Sequence, residues 1–379
     1  MKCIQLKRYL VLVTTFSLVF LNCFALSTQN TSNDPFTLKQ IQSIPTNNSR
    51  GWINFNMDGQ NYFAVAEFSK GYPKGQRDIN STIYRWNGKQ LVQFQKILTH
   101  GARNWQYTTI DGQHYLMIAN IQSDVGGKII YNVNSSLYRW NGKQFVLYQN
   151  IPTVGISNLI FFDINRQHYL ALAGQEDQQN QTKGETVSAI YQWDGKKFRR
   201  FQHLTTQGAS AWEFMNVEGN KLLAVCNVNG NTSTIYSWNG QKFVPFQTLS
   251  TADSRDMKYF VIGKKQYLVV ASVNSNPILY QWNGKQFFSY QQFNLRNVRN
   301  WNYFTYQGKD YLLATTFAHT TDKNAKFKAI LYQFDGSQFK EIKQIATNGV
   351  GQTIYFNIDN KGYLLFNHIF SNTIVYALT

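Results

Sequence analysis

One aromatic-rich segment recurs along this chain, and its repetition limits the fold more than any other feature. Six copies run from IYRWNGKQLVQFQ at 83–95 to LYQFDGSQFKEIKQ at 331–344, each with an aromatic residue before Asn-Gly or Asp-Gly. These marker aromatics lie 54, 53, 45, 44 and 52 residues apart at Trp86, Trp140, Trp193, Trp238, Trp282 and Phe334. Repetition at this interval is typical of β-propellers.

A second repeated segment lies between these copies and supplies two more strands per repeat. It reads GWINFNMDGQNYFAVAE at 51–67 and NWQYTTIDGQHYLMIAN at 104–120. β-branched and aromatic residues favour strands, and Asp-Gly or Asn-Gly favours the tight primed turns of hairpins. The period-2 pattern excludes a helical solenoid. A β-solenoid and a row of separate sandwiches remain alternatives to the propeller.

The seventh copy is split between the two ends of the chain. Its second half, FTLKQIQSIPT, lies at 36–46, and its first half, TIVYAL, lies at 373–378. A closed ring hides the sheet edges that a linear array exposes. We therefore predict an all-β, seven-bladed propeller of four-stranded blades over residues 36–379. An N-terminal strand would pair with the C-terminal blade to close the ring.

The repeat resembles the EAR repeat, also called the EPTP repeat, of the leucine-rich glioma-inactivated proteins. The resemblance is best seen at 94–142 and 201–240 and extends over 36–378. It implies a seven-bladed propeller used for extracellular protein recognition rather than catalysis. Many family members carry Asp before the first aromatic of the inner strand. This chain has mostly other residues there, which argues against a metal site: Gly51, Asn104, Asn158, Ala211, Asp256, Asn300 and Thr353.

The N-terminus has the pattern of a secretory signal peptide. Lys2, Lys7 and Arg8 precede an apolar run that ends near Leu26, with Ala25 at a passable cleavage site. We predict a signal peptide at 1–25, a short segment at 26–35 and a secreted or periplasmic product without a transmembrane span; an uncleaved anchor is the alternative. Cys226 would then be the remaining cysteine, which we interpret as a buried apolar residue.

The charge predicts affinity for acidic partners. The whole chain carries a formal net charge of +17, and removing three basic residues with 1–25 leaves 34 basic against 20 acidic residues, or +14. An exported chain of this charge is attracted to acidic proteins, anionic glycans or membrane headgroups. Nucleic acid is disfavoured by the predicted export. Solvation of an ordinary surface is the simpler explanation for much of the charge.

Propeller geometry places the variable loops on one face. The second-to-third loops are predicted to be long at 68–81, 121–135, 175–188 and 317–328, and short at 228–233 and 274–277. Variable loops on a rigid scaffold commonly carry binding. On the same face, one aligned position at the start of the inner strands is occupied by Arg50, Arg103, Ser157, Ser210, Arg255, Arg299 and Gln352. Arginine there would suit carboxylate, sulfate or phosphate, although pairing with nearby acids is the simpler interpretation.

We therefore predict a partner-binding surface on the loop face. Its candidate residues are Arg50, Arg103, Arg255, Arg299, Tyr72, Lys74, Arg77, Lys128, Tyr131 and Lys326. Motifs for zinc proteases, redox cysteine pairs, serine hydrolases, phosphate loops and EF-hands are absent from the sequence. We predict no cofactor, no metal and no catalytic residues, with Asp256 and Glu213 as the residues to test for an acid/base or cation role.

The preferred hypothesis is a secreted, non-catalytic recognition module that binds a protein or cell-surface partner through its basic, loop-rich face. An anionic-glycan-binding adhesion protein is the first alternative. A polysaccharide lyase or hydrolase acting in the channel is the second. The sequence does not specify the partner or the oligomeric state.

Overall fold

The structure is a computed structural model that describes residues 35–71, 75–176, 186–317 and 327–379. The predicted signal peptide at 1–25 lies outside these residues. Seven four-stranded antiparallel sheets account for 28 of the 30 strands. The inner strands of neighbouring sheets contact one another in cyclic order, and the seventh also contacts the first. The chain is an all-β, seven-bladed propeller, as the repeats predict.

Each blade uses its strands in chain order from the axis outward, and blade 7 ends with the N-terminal strand. The first strands are Gly51–Met57, Ala102–Ile110, Ile156–Ile164, Ala209–Val217, Ser254–Ile262, Val298–Tyr306 and Val350–Ile358. The second strands are Gln60–Ala66, Gln113–Asn120, Gln167–Gly174, Asn220–Asn227, Lys265–Ser272, Lys309–Thr316 and Lys361–His368.

The outer two strands form the second hairpin of each blade. The third strands are Asp78–Trp86, Asn132–Trp140, Thr186–Trp193, Thr232–Trp238, Ile278–Trp282, Phe327–Phe334 and Thr373–Leu378. The fourth strands are Leu91–His100, Phe145–Val154, Phe198–Thr206, Phe243–Ser250, Phe287–Gln292, Phe339–Thr347 and Leu38–Ile44. The two remaining strands, Ser123–Val125 and Lys128–Ile130, form a small hairpin within the second-to-third loop of blade 2.

The two ends of the chain meet in blade 7. Leu38 lies opposite Leu378, and Ile44 lies opposite Thr373, in an antiparallel pair. The backbone N–H of Thr37 donates to the carbonyl of Thr379 at 2.7 Å. The last blade is therefore complete only when both ends of the propeller are in place.

The two hairpins of each blade have different turns. The turns between the first and second strands have two residues, and in blade 1 both have positive φ, Asp58 (51°) and Gly59 (82°). The Asn-Gly and Asp-Gly turns between the third and fourth strands were also expected to be tight primed turns, and that prediction is wrong. They are four-residue loops in which the Asn87 side chain accepts the N–H groups of Lys89 and Gln90 at 3.0 and 2.9 Å.

The hydrophobic core lies between neighbouring blades. Trp52, Trp105 and Trp301 are at most 2% exposed, and they occupy the same position on three inner strands. Phe55 of blade 1 stacks on Tyr107 of blade 2 at 4.5 Å between ring centroids. Large aromatic side chains fill the space between twisted sheets. Cys226 is fully buried in this core, and burial raises the pKa of its thiol well above the usual value.

A glutamine on the fourth strand fastens each of six blades to the next. Its side-chain amide makes two hydrogen bonds with one backbone residue of the following blade. The glutamines are Gln42, Gln95, Gln149, Gln202, Gln247 and Gln291. These bonds satisfy backbone groups that the sheets themselves leave unpaired.

The long loops are shorter than predicted because the third strands begin earlier. The strand of blade 1 starts at Asp78 rather than after residue 81, and that of blade 2 starts at Asn132. In blade 2 the loop itself is ordered by the small hairpin. Among the described residues, the structure contains no helix that is long and apolar enough to cross a bilayer.

Candidate functional site at the channel mouth

The first strands of all seven blades open around one cavity on the loop-bearing face. Its volume is about 200 Å³, and every blade contributes to its lining. Arg50, Arg103, Arg255 and Arg299 all reach this cavity, from blades 1, 2, 5 and 6. Blades 3 and 4 present Ser157 and Ser210 at the same position. We call this arrangement of four arginines and two serines the mouth.

The structure corrects the predicted alignment in blade 7. Val350 pairs with His368 and Gln352 with Asn367, as Val298 pairs with Thr316 and Asn300 with Thr315 in blade 6. Gly351, not Gln352, therefore occupies the arginine position. Likewise, Gln352 rather than Thr353 occupies the next position. Blade 7 has Thr353 where blade 6 has Trp301, so the sequence lacked the aromatic marker that fixes the register.

Three arginines surround one phenylalanine at the blade 1 side of the mouth. The guanidinium carbons of Arg50, Arg77 and Arg103 lie 4.6, 4.9 and 5.4 Å from the centroid of the Phe68 ring. Phe68 is 9% exposed and lies two residues beyond the end of the second strand of blade 1. The negative face of an aromatic ring attracts cations. Phe68 therefore helps to hold side chains of like charge close together.

The other guanidinium contacts fix the orientation of the mouth. Nη2 of Arg103 donates to Oε1 of Gln175 at 3.0 Å. Nε of Arg299 donates to the carbonyl of Phe317 at 3.0 Å, and its guanidinium lies 5.5 Å from the Phe317 ring centroid. Nε of Arg255 lies 2.5 Å from Oδ1 of Asp253. Each of these contacts to an oxygen involves one nitrogen of a guanidinium group, which carries five N–H donors in all.

The arginines act on one another across the ring. Burial lowers the pKa of Arg103 to about 10; Glu176 raises this pKa and Arg255 lowers it. Burial also lowers the pKa of Arg299 to about 10, and Arg255 again lowers it further. Both side chains remain protonated at neutral pH. The mouth therefore concentrates positive charge in a partly desolvated space, where an anion is strongly stabilised.

Next to the arginine position on the first strands, polar side chains connect four pairs of successive blades. Each accepts a hydrogen bond from the backbone N–H of the next blade. The pairs are Asn158 with Trp212 (3.3 Å), Asp256 with Trp301 (3.1 Å), Asn300 with Thr353 (3.0 Å) and Gln352 with Trp52 (2.7 Å). In this chain the position that carries Asp in many family members has a structural role.

Asp256 and Glu213, the residues singled out for an acid/base or cation role, are engaged within the channel. Asp256 also accepts from Nδ2 of Asn300 at 2.7 Å, and burial raises its pKa to about 6. Glu213 accepts the N–H of Tyr259 at 2.9 Å and lies 3.4 Å from Nζ of Lys258. Within the described ranges, no group of three or more His, Cys, Asp or Glu residues could hold a metal ion.

Of the other predicted site residues that the structure describes, two are buried beside the mouth and one is exposed. Arg77 is 6% exposed, and Tyr131 is 9% exposed and packs with Phe68 and Ile121. Their burial assigns both to the support of the mouth. Lys128 is exposed on the small hairpin of blade 2. Tyr72, Lys74 and Lys326 lie outside the described residues.

Sequence reasoning missed the side chains that support the arginines. Gln175 and Phe317 directly follow the second strand of their blade, and Phe68 lies two residues beyond its own. All three align with Ile121 of blade 2. All three contact an arginine of the mouth. The repeats do align these positions with one another, and that alignment was the available signal. It was not recognised because the aligned side chains differ in type, and because Phe68 and Gln175 contact Arg103 of a neighbouring blade.

The fold and the mouth define a class of protein: a β-propeller with a cluster of arginines on one face. The particular family follows from sequence comparison. The chain matches the EPTP domain over residues 38–87, 90–141, 144–194, 197–239 and 242–283. These segments cover more than half of the chain, which belongs to the EPTP domain family.

Two groups of curated proteins are similar to part of the chain. The thrombospondin-type laminin G domain and EAR repeat-containing protein of Mus musculus is 30% identical over 201 residues, which is 52% of this chain and 28% of that protein. The leucine-rich repeat LGI family member 2 of Homo sapiens is 23% identical over 223 residues, which is 47% of this chain and 37% of that protein. The chain thus spans only 28% and 37% of the length of these two relatives.

A solved structure shares the fold. A putative 6-phosphogluconolactonase from Bacteroides fragilis superposes with a TM-score of 0.58 at 12% identity, covering 82% of this chain and 88% of that chain. At this identity the likeness concerns the propeller architecture alone, because one fold serves many unrelated activities.

Proposed function

We propose that this chain is a secreted, non-catalytic recognition module that binds a protein partner through the face containing the mouth. One observation carries the proposal. Four arginines from four blades converge on one cavity, on the face where loop length varies between blades. Membership of the EPTP family supports a protein-interaction role. The names of its relatives specify no partner for this chain.

The surroundings of the mouth favour a protein as the partner. Val125 and Ile129 on the hairpin of blade 2 are 55% and 47% exposed, and Phe370 in the second-to-third loop of blade 7 is 49% exposed. Protein interfaces combine apolar contacts of this kind with arginine. The carboxylates of Asp256 and Glu213 are engaged in contacts between blades, which is consistent with a structural role for both.

The test is capture of a partner from cell-surface extracts by the exported chain, at about 50 and 300 mM salt, with variants in parallel. We expect a defined protein that survives the higher salt and is lost in R103Q/R299Q. The matched control is K143Q/K285Q, which removes the same charge from exposed turns on the opposite face. Equal capture by the two double variants would refute the use of the mouth face.

Anionic-glycan binding is the second candidate, and the formal net charge of +14 on the proposed exported chain favours it. Charge alone produces binding that weakens steeply with salt and is shared by many acidic molecules. Loss of all capture at 300 mM salt, together with competition by a sulfated polysaccharide, would support this candidate over protein recognition.

A further inference from the structure

The mouth combines three properties of a site for one small anionic group. Arginines lie on both sides of the cavity, since Arg103 belongs to blade 2 and Arg255 and Arg299 belong to blades 5 and 6. Each of these three guanidiniums is oriented by a neighbouring oxygen: that of Gln175 for Arg103, Asp253 for Arg255 and the Phe317 carbonyl for Arg299. The cavity of about 200 Å³ is smaller than the roughly 300–1,000 Å³ clefts that hold drug-sized ligands.

We propose that the mouth binds a single carboxylate of the protein partner, from an acidic side chain or a chain end, between Arg103, Arg255 and Arg299. This inference rests on the proposed function and names the chemistry that the site recognises. A planar carboxylate matches the fork of a guanidinium with two parallel hydrogen bonds. Arginine is better suited than lysine to such pairing in a partly dry site.

Blades 3 and 4, two of the three blades without arginine at this position, give the carboxylate room. Ser157 donates to the carbonyl of Ala209, and Ser210 donates to the carbonyl of Ser254, both at 2.8 Å. These hydroxyls are thereby bound to the backbone of the next blade, and the side chains are short. The second-to-third connections of blades 4 and 5, at 228–231 and 273–277, are also short. The short side chains and connections on this side suit the entry of a partner side chain.

Charge balance makes the occupied mouth more favourable than the empty one. Asp253 pairs with Arg255, Glu176 acts on Arg103, and Asp256 lines the same cavity. Three carboxylates therefore oppose the four guanidiniums of the mouth. A bound carboxylate would be stabilised by the excess positive charge and would reduce the repulsion between Arg103, Arg255 and Arg299. The exposed apolar side chains near the mouth favour a protein as its source over a sulfated glycan.

The direct test is NMR of the arginine Nε–H groups of the purified exported chain, titrated at constant ionic strength. The probes are acetate, sulfate, and a blocked peptide with one central Glu beside its Gln analogue. We expect saturable shifts at Arg103, Arg255 and Arg299 with acetate and the Glu peptide, and none with the Gln peptide. R103Q/R299Q should weaken binding at least tenfold, while R199Q/R200Q, outside the mouth, should leave it unchanged.

A second variant separates the effect of the planar guanidinium from the effect of its positive charge. R103K/R299K keeps both positive charges and removes the planar donors, so we expect several-fold weaker binding with little change in melting temperature. Absence of saturable shifts, or equal affinity in R103Q/R299Q, would overturn the inference. Tighter binding of sulfate than of either carboxylate probe would overturn the choice of a protein carboxylate. Capture of a partner that persists unchanged in R103K/R299K would overturn this inference and leave protein recognition intact.

Discussion

Gln95 on the outer strand of blade 1 holds both backbone polar groups of Phe145 in blade 2. Its Oε1 accepts the N–H at 3.0 Å, and its Nε2 donates to the carbonyl at 2.7 Å. Five other interfaces have the same pair of bonds. Since Phe145 is 2% exposed, its backbone groups would have few replacements for these partners.

The first prediction removes one of these side chains. Q247A should destabilise the chain by about 2–3 kcal/mol, because it leaves the N–H and carbonyl of Phe287 without their partners. The measurement is urea unfolding followed by tryptophan fluorescence. Q241A makes the same change in an exposed turn and should be nearly neutral. A loss below about 0.5 kcal/mol in Q247A would contradict the assigned role.

The second prediction introduces the glutamine-to-backbone hydrogen bonds at the interface between blades 6 and 7. Lys343 occupies the glutamine position of blade 6, since it lies opposite Leu331 as Gln291 lies opposite Leu279. K343Q places an amide where the other blades use one, next to the backbone of Leu38. We expect K343Q to be more stable than K343A by about 0.5–1.5 kcal/mol in thermal unfolding, because only the glutamine can bond this backbone. A melting temperature of K343Q no higher than that of K343A would refute the prediction.

The third prediction concerns pH. Burial raises the pKa of Glu67 to about 7, while its bond from the Asn47 N–H opposes the shift. A raised pKa in the folded state means that its stabilising contribution is complete below about pH 4.5 and is lost as the pH rises through 7. E67Q keeps the acceptor for Asn47 and should be more stable at pH 8, by up to about 3 kcal/mol.

The measurement for Glu67 is the free energy of unfolding between pH 4.5 and 8. The wild-type profile should fall over this range more steeply than that of E67Q. Asn120 and Asn227 accept the N–H of His100 and Gln207 from the equivalent position in other blades, so an amide is compatible with this contact. E341Q at an exposed site is the control. Parallel profiles for wild type and E67Q would sink the prediction.

The fourth prediction tests the aromatic side chain of Phe68, which three arginines surround. F68L removes the aromatic face that Arg50, Arg77 and Arg103 share. We expect several-fold weaker binding of acetate, because the guanidiniums lose a common support worth about 0.5–2 kcal/mol per contact. The Nε–H titration and thermal unfolding report affinity and stability separately. F288L, at a residue 39% exposed on an outer strand, is the matched control; unchanged acetate affinity in F68L would count against the support role.

The repeats by themselves determined the architecture. A period of 44–54 residues, two hairpins per unit and a copy divided between the ends are local patterns, and each has a local physical cause in turn chemistry and strand propensity. The positive φ at Asp58 and Gly59 is the conformation that Asp-Gly favours in a two-residue turn. The arginine positions in blades 1, 2 and 6 were predictable because Trp52, Trp105 and Trp301 fix the register. Arg255 of blade 5 also aligns, although Met257 occupies the marker position.

Only the tertiary structure decided how the mouth is built. The pairing in blade 7 moved Gly351 into the position assigned to Gln352, since hydrogen-bond register depends on the neighbouring strand. Phe68 gathers arginines from two inner strands and one loop, a contact that no sequence spacing encodes. Burial of Tyr131 beneath the hairpin of blade 2 likewise depends on packing between loops. Repetition fixes the scaffold, but desolvation and contacts between blades fix which side chains meet.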